Sequence, residues 1–181
     1  MAYFPVFLDL QGQRVLIVGS GPQALEKAQA LASFQPELHL LPHLTPADLT
    51  PPPALVILTD KNRTQEAALC GSRGIPVNAL DDPDNCTFYF PSLITRGSCT
   101  IGISSGGQAP ALSAALRRQI EAGLPDNLED ISLWLSDLTV LLRQHIPERD
   151  RRAKALAAIT AEAFQKNRPL SQREWEVYIH M

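Results

Sequence analysis

The chain has 181 residues, with 16 lysines and arginines against 19 aspartates and glutamates, four histidines and 45% hydrophobic residues. This length suits one ordinary domain, or a modest domain with a helical appendage, and it buries enough surface to fold without disulfide or metal staples. The formal net charge of −3 gives no polycationic surface, which disfavours a nucleic-acid binder.

The first half of the sequence alternates short aliphatic runs with helical stretches, which predicts a parallel α/β sheet. Four strands are predicted, at 14–18, 38–41, 54–58 and 76–80, with helices that begin at Pro22 and at Thr64. The segment Pro42–Pro53 holds five of the 15 prolines. Because proline interrupts helices, we predict at most one helical turn there, over 46–49, instead of a crossover helix.

The second half changes character after Pro83. Three close-spaced strands are predicted at 87–90, 92–95 and 100–103, with a turn at Arg96-Gly97. From Pro110 onward the pattern predicts helices: one over 110–122, one that opens with a capping box at Asp126 and Glu129, one over about 148–164, and one that begins at Ser171 and runs to Met181.

A glycine-rich turn lies between the first predicted strand and the first predicted helix. It is Gly19-Ser20-Gly21-Pro22-Gln23-Ala24, in which Gly19 suits a tight turn, Gly21 allows a pyrophosphate to approach, and Ala24 permits close packing of the helix on the strand. Helix N–H groups would then hold the anion. The alternative is a plain strand–helix turn. The end of the second strand, Leu41–Leu44, offers no carboxylate for a ribose, so these residues alone do not decide between NAD, NADP and neither.

Two other segments are candidates for chemistry. Asp81-Asp82 follows a strand at its carboxyl end, where open α/β sheets place ligands, so a carboxylate there is a candidate general base. Such a run also occurs in ordinary turns. Ser104-Ser105-Gly106-Gly107 precedes a helix and is either an anion cradle or an ordinary helix cap.

The cysteines and histidines predict neither a disulfide framework nor a metal site. Cys70, Cys86 and Cys99 are odd in number and lack Cys-x-x-Cys spacing, which is typical of buried or idle thiols in a reducing cytoplasm. Pro42 separates His39 from His43 and excludes a helical ligand pair. No signal peptide or membrane span is predicted, so we expect a cytoplasmic protein.

Three runs in order resemble the N-terminal module of the siroheme synthase family, the precorrin-2 dehydrogenase/sirohydrochlorin ferrochelatases. They are Tyr3–Leu10 followed by Val15–Gly21, Val77–Pro83 followed by Phe88–Pro91, and Ile103–Leu112. The resemblance implies an α/β fold: a Rossmann-like NAD-binding domain over 1–90, a small β dimerisation region over 91–123, and a helical domain over 124–181. It also implies a homodimer that holds a tetrapyrrole, precorrin-2 or sirohydrochlorin, and uses NAD.

The resemblance further assigns roles to individual residues. Asp81 is implicated in proton removal and metal insertion. Cofactor contacts are expected from Gly19, Ser20, Gly21, Pro22 and Gln23 at the pyrophosphate, from His43 and Leu44 at the adenosine half, and from Thr59. Tetrapyrrole contacts are expected from Asn78, Ser104, Ser105 and Gly106. No resident metal is expected.

This sequence departs from the family at several positions, so three hypotheses about its function remain open. The family usually has glycine at Ser20, valine at Gln23 and arginine at Glu26, and it has an extra strand and short helix where Pro42–Pro53 stands. The first hypothesis is an NAD-dependent precorrin-2 dehydrogenase, with or without iron or cobalt insertion. The second is a chelatase-only or degenerate member that no longer uses NAD. The third is a non-enzymatic sensing or interaction module.

Overall fold

The computed structural model describes residues 4–179. Contacts divide the chain into two compact units. Among the described residues, the first contains residues 4–90 together with Gly106–Gln108, and the second contains Pro91–Ser105 together with residues 109–179.

The first unit is built on a four-stranded parallel sheet, as predicted. Its elements are β1 (Arg14–Val18), α1 (Pro22–Ala32), β2 (Glu37–Leu41), β3 (Leu55–Leu58), α2 (Thr64–Ser72) and β4 (Val77–Ala79). The strand order is β2-β1-β3-β4, with every neighbouring pair parallel. All of β3 and all of β1 after Arg14 are buried, because the central strands of a parallel sheet are covered on both faces.

Successive residues of the two central strands supply two separate cores. Leu16 and Val56 face a cluster that includes residues of α2, whereas Ile17 and Ile57 face a cluster that includes residues of α1. This alternation follows from the period of two in a strand. On α1, Ala24 and Leu31 are buried against the sheet, so the predicted close packing of the helix at Ala24 is present.

The proline-rich connection from β2 to β3 crosses the sheet with a single turn of 3-10 helix, Pro46–Leu49, as predicted. Leu44 and Leu49 are buried in the core on the α2 side. At the start of the turn, Asp48 Oδ2 accepts hydrogen bonds from the backbone N–H and the hydroxyl of Thr45 at 2.7 and 2.6 Å, and these bonds lower the pKa of Asp48. The short connection therefore has its own cap and its own anchors in the core.

As far as residue 179, the second unit contains an antiparallel hairpin and four helices. These are β5 (Ser92–Arg96), β6 (Cys99–Ile103), α3 (Pro110–Ala122), α4 (Leu128–His145), α5 (Arg149–Lys166) and α6 (Gln172–Glu176). The core of the helical part lies between α4, α5 and α6, around Ile131, Leu142 and Ile159, each of which has no exposed surface.

The predicted strand at 87–90 is wrong. Thr87 and Phe88 both donate their backbone N–H to the carbonyl of Val77, at 2.8 and 3.4 Å. Two successive N–H groups that share one acceptor form a loop and not the hydrogen-bond ladder of a β-sheet. Phe88 and Phe90 instead pack against the core on the α1 side of the sheet. The aromatic residues that predicted a strand therefore pack in the core without forming one. Aromatic residues favour strands mainly because strands bury their side chains, so the same residues also occur in buried loops.

The predicted start of α4 and the predicted end of α6 are also wrong. Helix α4 begins at Leu128 without a side-chain cap, because Asn127 is held by Asn167 at the end of α5: Asn127 Nδ2 donates to the Asn167 carbonyl at 2.9 Å. Helix α6 has the predicted capping box at Ser171, but it ends at Glu176 in a turn over 177–179, and residues 180–181 lie outside the described residues.

No helix between residues 4 and 179 is both long enough and apolar enough to cross a membrane.

The corner between α5 and α6 is held by an acidic side chain whose effect depends on pH. Glu174 accepts hydrogen bonds from Arg168 and Lys166, each at 2.7 Å, and from Ser171. These bonds, with that from Arg168 the largest influence, hold the pKa of Glu174 far below its usual value. A depressed folded-state pKa stabilises the protein above the unfolded pKa of about 4.3, and the contribution declines as the pH falls below it.

We expect Glu174→Gln to lower the free energy of unfolding at pH 7, and the difference from wild type to shrink below about pH 4, where the unfolded carboxyl takes up a proton. Urea denaturation followed by helical circular dichroism at several pH values measures this. Glu37→Gln, on the exposed start of β2, is the control. A difference that is independent of pH would contradict the assignment.

Candidate functional site

The turn after β1 is built around Gly19, which must be a glycine. Its φ of +141° lies in a region that side chains rarely adopt. A Cβ at this position would overlap Thr59 Oγ1 and would lie 2.8 Å from Asp60 Oδ1. The backbone N–H of Gly19 donates to the carbonyl of Leu41 at 2.8 Å, which closes the turn against β2. The predicted tight turn is therefore present, with the ends of β1 and β3 in direct contact.

The N-terminus of α1 is open towards a ligand. The helix begins at Pro22 after Gly21, with no side-chain hydrogen bond to its first turn and no acidic residue there. Ser20 and Gln23 are exposed beside it. Unsatisfied N–H groups and the helix dipole favour an anion at such a place. The geometry thus fits the pyrophosphate of a dinucleotide, which the sequence predicted here.

Thr59, a predicted cofactor contact, also has a structural task. Its side chain is buried, with 4% exposed, and its hydroxyl donates to the carbonyl of Val18 at 3.1 Å. Its backbone N–H donates to the same carbonyl at 2.9 Å. Thr59 therefore fastens β3 to β1 at the carboxyl edge of the sheet, directly behind Gly19.

Arg63 organises the edge of the site, and the sequence reasoning missed it. The guanidinium is only 12% exposed. It donates to Asp60 Oδ2 at 2.6 Å, to Glu66 Oε1 at 2.7 Å and to the carbonyl of Pro42 at 2.9 Å, and it lies 3.1 Å from His43 Nδ1. The hydrogen bond to Asp60 raises the pKa of Arg63. The signal in the sequence is the spacing of Asp60, Arg63 and Glu66, which lets neighbouring side chains pair at the start of a helix.

The Arg63 network fixes the segment predicted to lie beside the adenosine half of the cofactor. Glu66 Oε1 also accepts the backbone N–H of Leu44 at 3.1 Å, so both His43 and Leu44 are tied to the start of α2. Leu44 is buried, whereas His43 is exposed. Of the two predicted contacts, His43 is therefore the one whose side chain faces solvent.

Asp81 lies at the carboxyl end of β4 in an unusual backbone conformation. Its φ is +57°, in the left-handed region, which is uncommon outside glycine and frequent at functional sites. Its side chain is 63% exposed, and Asp81 Oδ2 lies 3.2 Å from the ammonium of Lys61. Because Leu58 pairs with Ala79 in parallel register, Asp81 and Lys61 follow neighbouring strands at one edge of the sheet. An exposed carboxylate at this edge is suitable for proton transfer.

Asn78 and the residues after Asp81 are occupied in holding the loop. Asn78 Nδ2 donates to the carbonyl of Phe88 at 3.0 Å, and Asp82 Oδ2 accepts from Asn85 Nδ2 at 2.8 Å. The thiol of Cys86 accepts the backbone N–H of Ala79 at 3.1 Å, and burial raises the pKa of that thiol. Of the Asp81-Asp82 run, Asp82 therefore belongs to an ordinary turn, which was the alternative to a catalytic carboxylate. Asn78 stabilises the loop beside the site.

The loop before α3 combines a serine hydrogen bond with two glycines of positive φ. Ser105 Oγ accepts the backbone N–H of Ala109 at 3.2 Å and so holds the loop. Helix α3 begins after Ala109 without a side-chain cap, so this bond is not the helix cap that was the alternative for this loop. Gly106 and Gly107 have φ values of +66° and +77°, and a Cβ on Gly107 would lie 2.7 Å from the ring of Tyr89. Ser104 is exposed. Within residues 4–179, no three His, Cys, Asp or Glu side chains are grouped to hold a metal.

Comparison with known proteins agrees with this geometry. Residues 6–92 match the protein family described as "Putative NAD(P)-binding", and residues 96–123 match the family described as "Sirohaem biosynthesis protein central". The solved structure titled "SirC, precorrin-2 dehydrogenase" aligns over 98% of both chains with a TM-score of 0.69 and 17% identity, which shows a shared fold. The first half of this chain is thus an NAD(P)-binding domain of Rossmann type.

Relatives of known name point to one family. Siroheme synthase of Nitrosomonas eutropha is 31% identical over 84% of this chain and 37% of its own length. Siroheme synthase 2 of Aeromonas hydrophila is 36% identical over 71% of this chain and 32% of its own length. The chain therefore spans about a third of the length of these relatives. The resemblance to the N-terminal module of siroheme synthase is confirmed.

We expect Gly19→Ala to destabilise the first unit by about 2 kcal/mol or more, because the new methyl group would meet both Thr59 and Asp60 in a disfavoured backbone conformation. Gly71→Ala is the matched control. It lies in α2 with no atom within 4 Å of the added carbon, so we expect a neutral or slightly stabilising effect. Chemical denaturation of both variants tests this, and equal stability of the two would contradict the close contact.

Proposed function

We propose that this protein oxidises precorrin-2 to sirohydrochlorin with NAD as the hydride acceptor, within siroheme biosynthesis. The observation that carries the proposal is that the Gly19 turn and Asp81 follow strands of the same parallel sheet at its carboxyl edge. An anion-binding helix start and an exposed carboxylate on one ligand-binding edge are the two parts that this oxidation requires. The names of the relatives, siroheme synthase and precorrin-2 dehydrogenase, support the same reaction.

The reaction divides into one hydride and one proton. NAD, when bound, supplies the acceptor for the hydride. The N-terminus of α1, with Gly19, Ser20, Gly21, Pro22 and Gln23, holds the pyrophosphate, and His43, Leu44 and Thr59 border the rest of the dinucleotide. Asp81 takes the proton that the macrocycle releases, because its carboxylate is exposed at the sheet edge. Asn78, Ser104, Ser105 and Gly106 are assigned to the tetrapyrrole.

A specific observation favours NAD use over the chelatase-only alternative. Glu26, at which this sequence departs from the family, is the fifth residue of α1. The helix dipole acts mainly within the first turn, and Glu26 lies beyond that turn. The shortened Pro42–Pro53 connection still anchors Leu44 and Leu49 in the core. Insertion of iron or cobalt is a second candidate activity, since an exposed carboxylate such as Asp81 can also take pyrrole protons.

The assembly and its location are part of the proposal. We place a dinucleotide-binding domain at 1–90, a dimerisation region at 91–123 and a helical domain at 124–181, in a cytoplasmic homodimer. On α3, Leu112, Leu116 and Ile120 recur every four residues and are 53%, 39% and 36% exposed. Such an apolar stripe is typical of a contact surface, and a second copy of the chain would cover it.

Purified protein supplied with precorrin-2 and NAD should produce NADH, observed by its absorbance, together with sirohydrochlorin. We expect Asp81→Asn to lower kcat by about 100-fold or more, which is the usual range for loss of a general base. Asp84→Asn, an exposed acidic neighbour in the same loop, is the control and should retain activity. Parallel reactions with ferrous or cobaltous ion measure metal insertion.

Absence of NADH in the wild-type reaction would overturn the proposed oxidation. Tetrapyrrole binding without turnover, together with tolerance of Asp81→Asn, would instead support the non-enzymatic sensing module.

A further inference from the structure

Two cations on the connection between β3 and α2 have different surroundings. Arg63 is 12% exposed and bridges two carboxylates, Asp60 and Glu66. Lys61 is 73% exposed and pairs with Asp81 at 3.2 Å. The charge of Arg63 is thus neutralised within the protein, whereas the ammonium of Lys61 is presented to solvent beside the candidate base.

The Lys61–Asp81 pair adds little to the stability of the fold. Both side chains are mostly exposed, and ion pairs of this kind contribute about 0–1 kcal/mol because water and salt screen them. Holding a long lysine side chain in one geometry also costs conformational entropy. A charged ligand group can therefore replace either partner at small cost.

The position of the pair relates it to ligand binding. Lys61 follows β3 and Asp81 follows β4, and these strands are hydrogen-bonded neighbours with parallel direction. Both residues consequently lie on the carboxyl edge of the sheet, where the Gly19 turn also lies. A ligand that brings carboxylates to this edge meets an accessible ammonium next to the group that is to accept its proton.

We propose that Lys61 binds a carboxylate side chain of the tetrapyrrole and thereby positions the macrocycle at Asp81. On docking, the ammonium exchanges its ion pair with Asp81 for one with the substrate, and the Asp81 carboxylate becomes available to the macrocycle. No covalent bond changes in this step. The inference deepens the proposed function and rests on it for the identity of the substrate, a macrocycle that carries several carboxylates.

The proposal distinguishes substrate binding from chemistry and from cofactor binding. A charge-assisted contact that the bound macrocycle shields from water is stronger than the exposed pair with Asp81, and its loss costs a factor of about 10 or more in affinity. We expect Lys61→Gln to raise both the KM for precorrin-2 and the Kd for sirohydrochlorin by about 10-fold or more, with the Kd for NAD unchanged. The conservative Lys61→Arg should restore tetrapyrrole affinity, because it keeps the positive charge.

The experiment combines a sirohydrochlorin titration by absorbance with steady-state kinetics on the full chain. Lys154→Gln, an exposed lysine on α5, removes the same charge elsewhere and is the control. Increasing salt should weaken sirohydrochlorin binding in wild type more steeply than in Lys61→Gln. Thermal denaturation verifies that every variant is folded.

The outcomes separate this inference from the proposed function. Equal tetrapyrrole affinity of Lys61→Gln and Lys154→Gln, in a wild type that reduces NAD, would overturn the role of Lys61 and leave the oxidation intact. If wild type does not reduce NAD, the oxidation fails, and the titration still decides the role of Lys61. A wild type that does not bind sirohydrochlorin would overturn the inference.

Discussion

The contact between the ends of β1 and β3 determines where the rest of the site can lie. Thr59 donates two hydrogen bonds to the carbonyl of Val18, and its side chain occupies the space that a Cβ on Gly19 would need. This contact forces the chain to turn at Gly19 and start α1 directly above the sheet. It also brings the residues after β3, Asp60 and Lys61, to the same edge. A glycine and a threonine thus connect the anion-binding helix start to the neighbouring strand ends.

The second constraint is the short, proline-rich connection between β2 and β3. It replaces a crossover helix with one 3-10 turn, and Leu44 and Leu49 take over the task of covering the sheet. Two hydrogen bonds hold the start of this connection: Arg63 donates to the carbonyl of Pro42, and Glu66, which pairs with Arg63, accepts the N–H of Leu44. The departure from the family therefore shortens the connection while an ion-pair network holds the segment at the end of β2 in place.

Local patterns predicted the fold well and the site in part. The buried runs of β1 and β3, the proline-limited turn and the helix from Pro22 follow from burial, proline geometry and periodicity, which act within a few residues. The predictions that failed depended on distant partners: 87–90 is held by Val77, and the start of α4 by Asn167. The Lys61–Asp81 pair and the hydrogen bond from Arg63 to Pro42 were missed for the same reason, since no local pattern shows which residues meet across strands. The glycine turn and the resemblance located the cofactor region and Asp81, but not the charges around them.

We expect the Gly19 turn to bind NAD although the connection after β2 is short. Isothermal titration of NAD into the purified wild-type chain tests it most directly. The geometry predicts saturable binding at one site per chain, because the start of α1 has no side-chain cap and no acidic residue in its first turn. Absence of binding heat at millimolar NAD, in protein that is folded and binds sirohydrochlorin, would contradict NAD binding at the Gly19 turn.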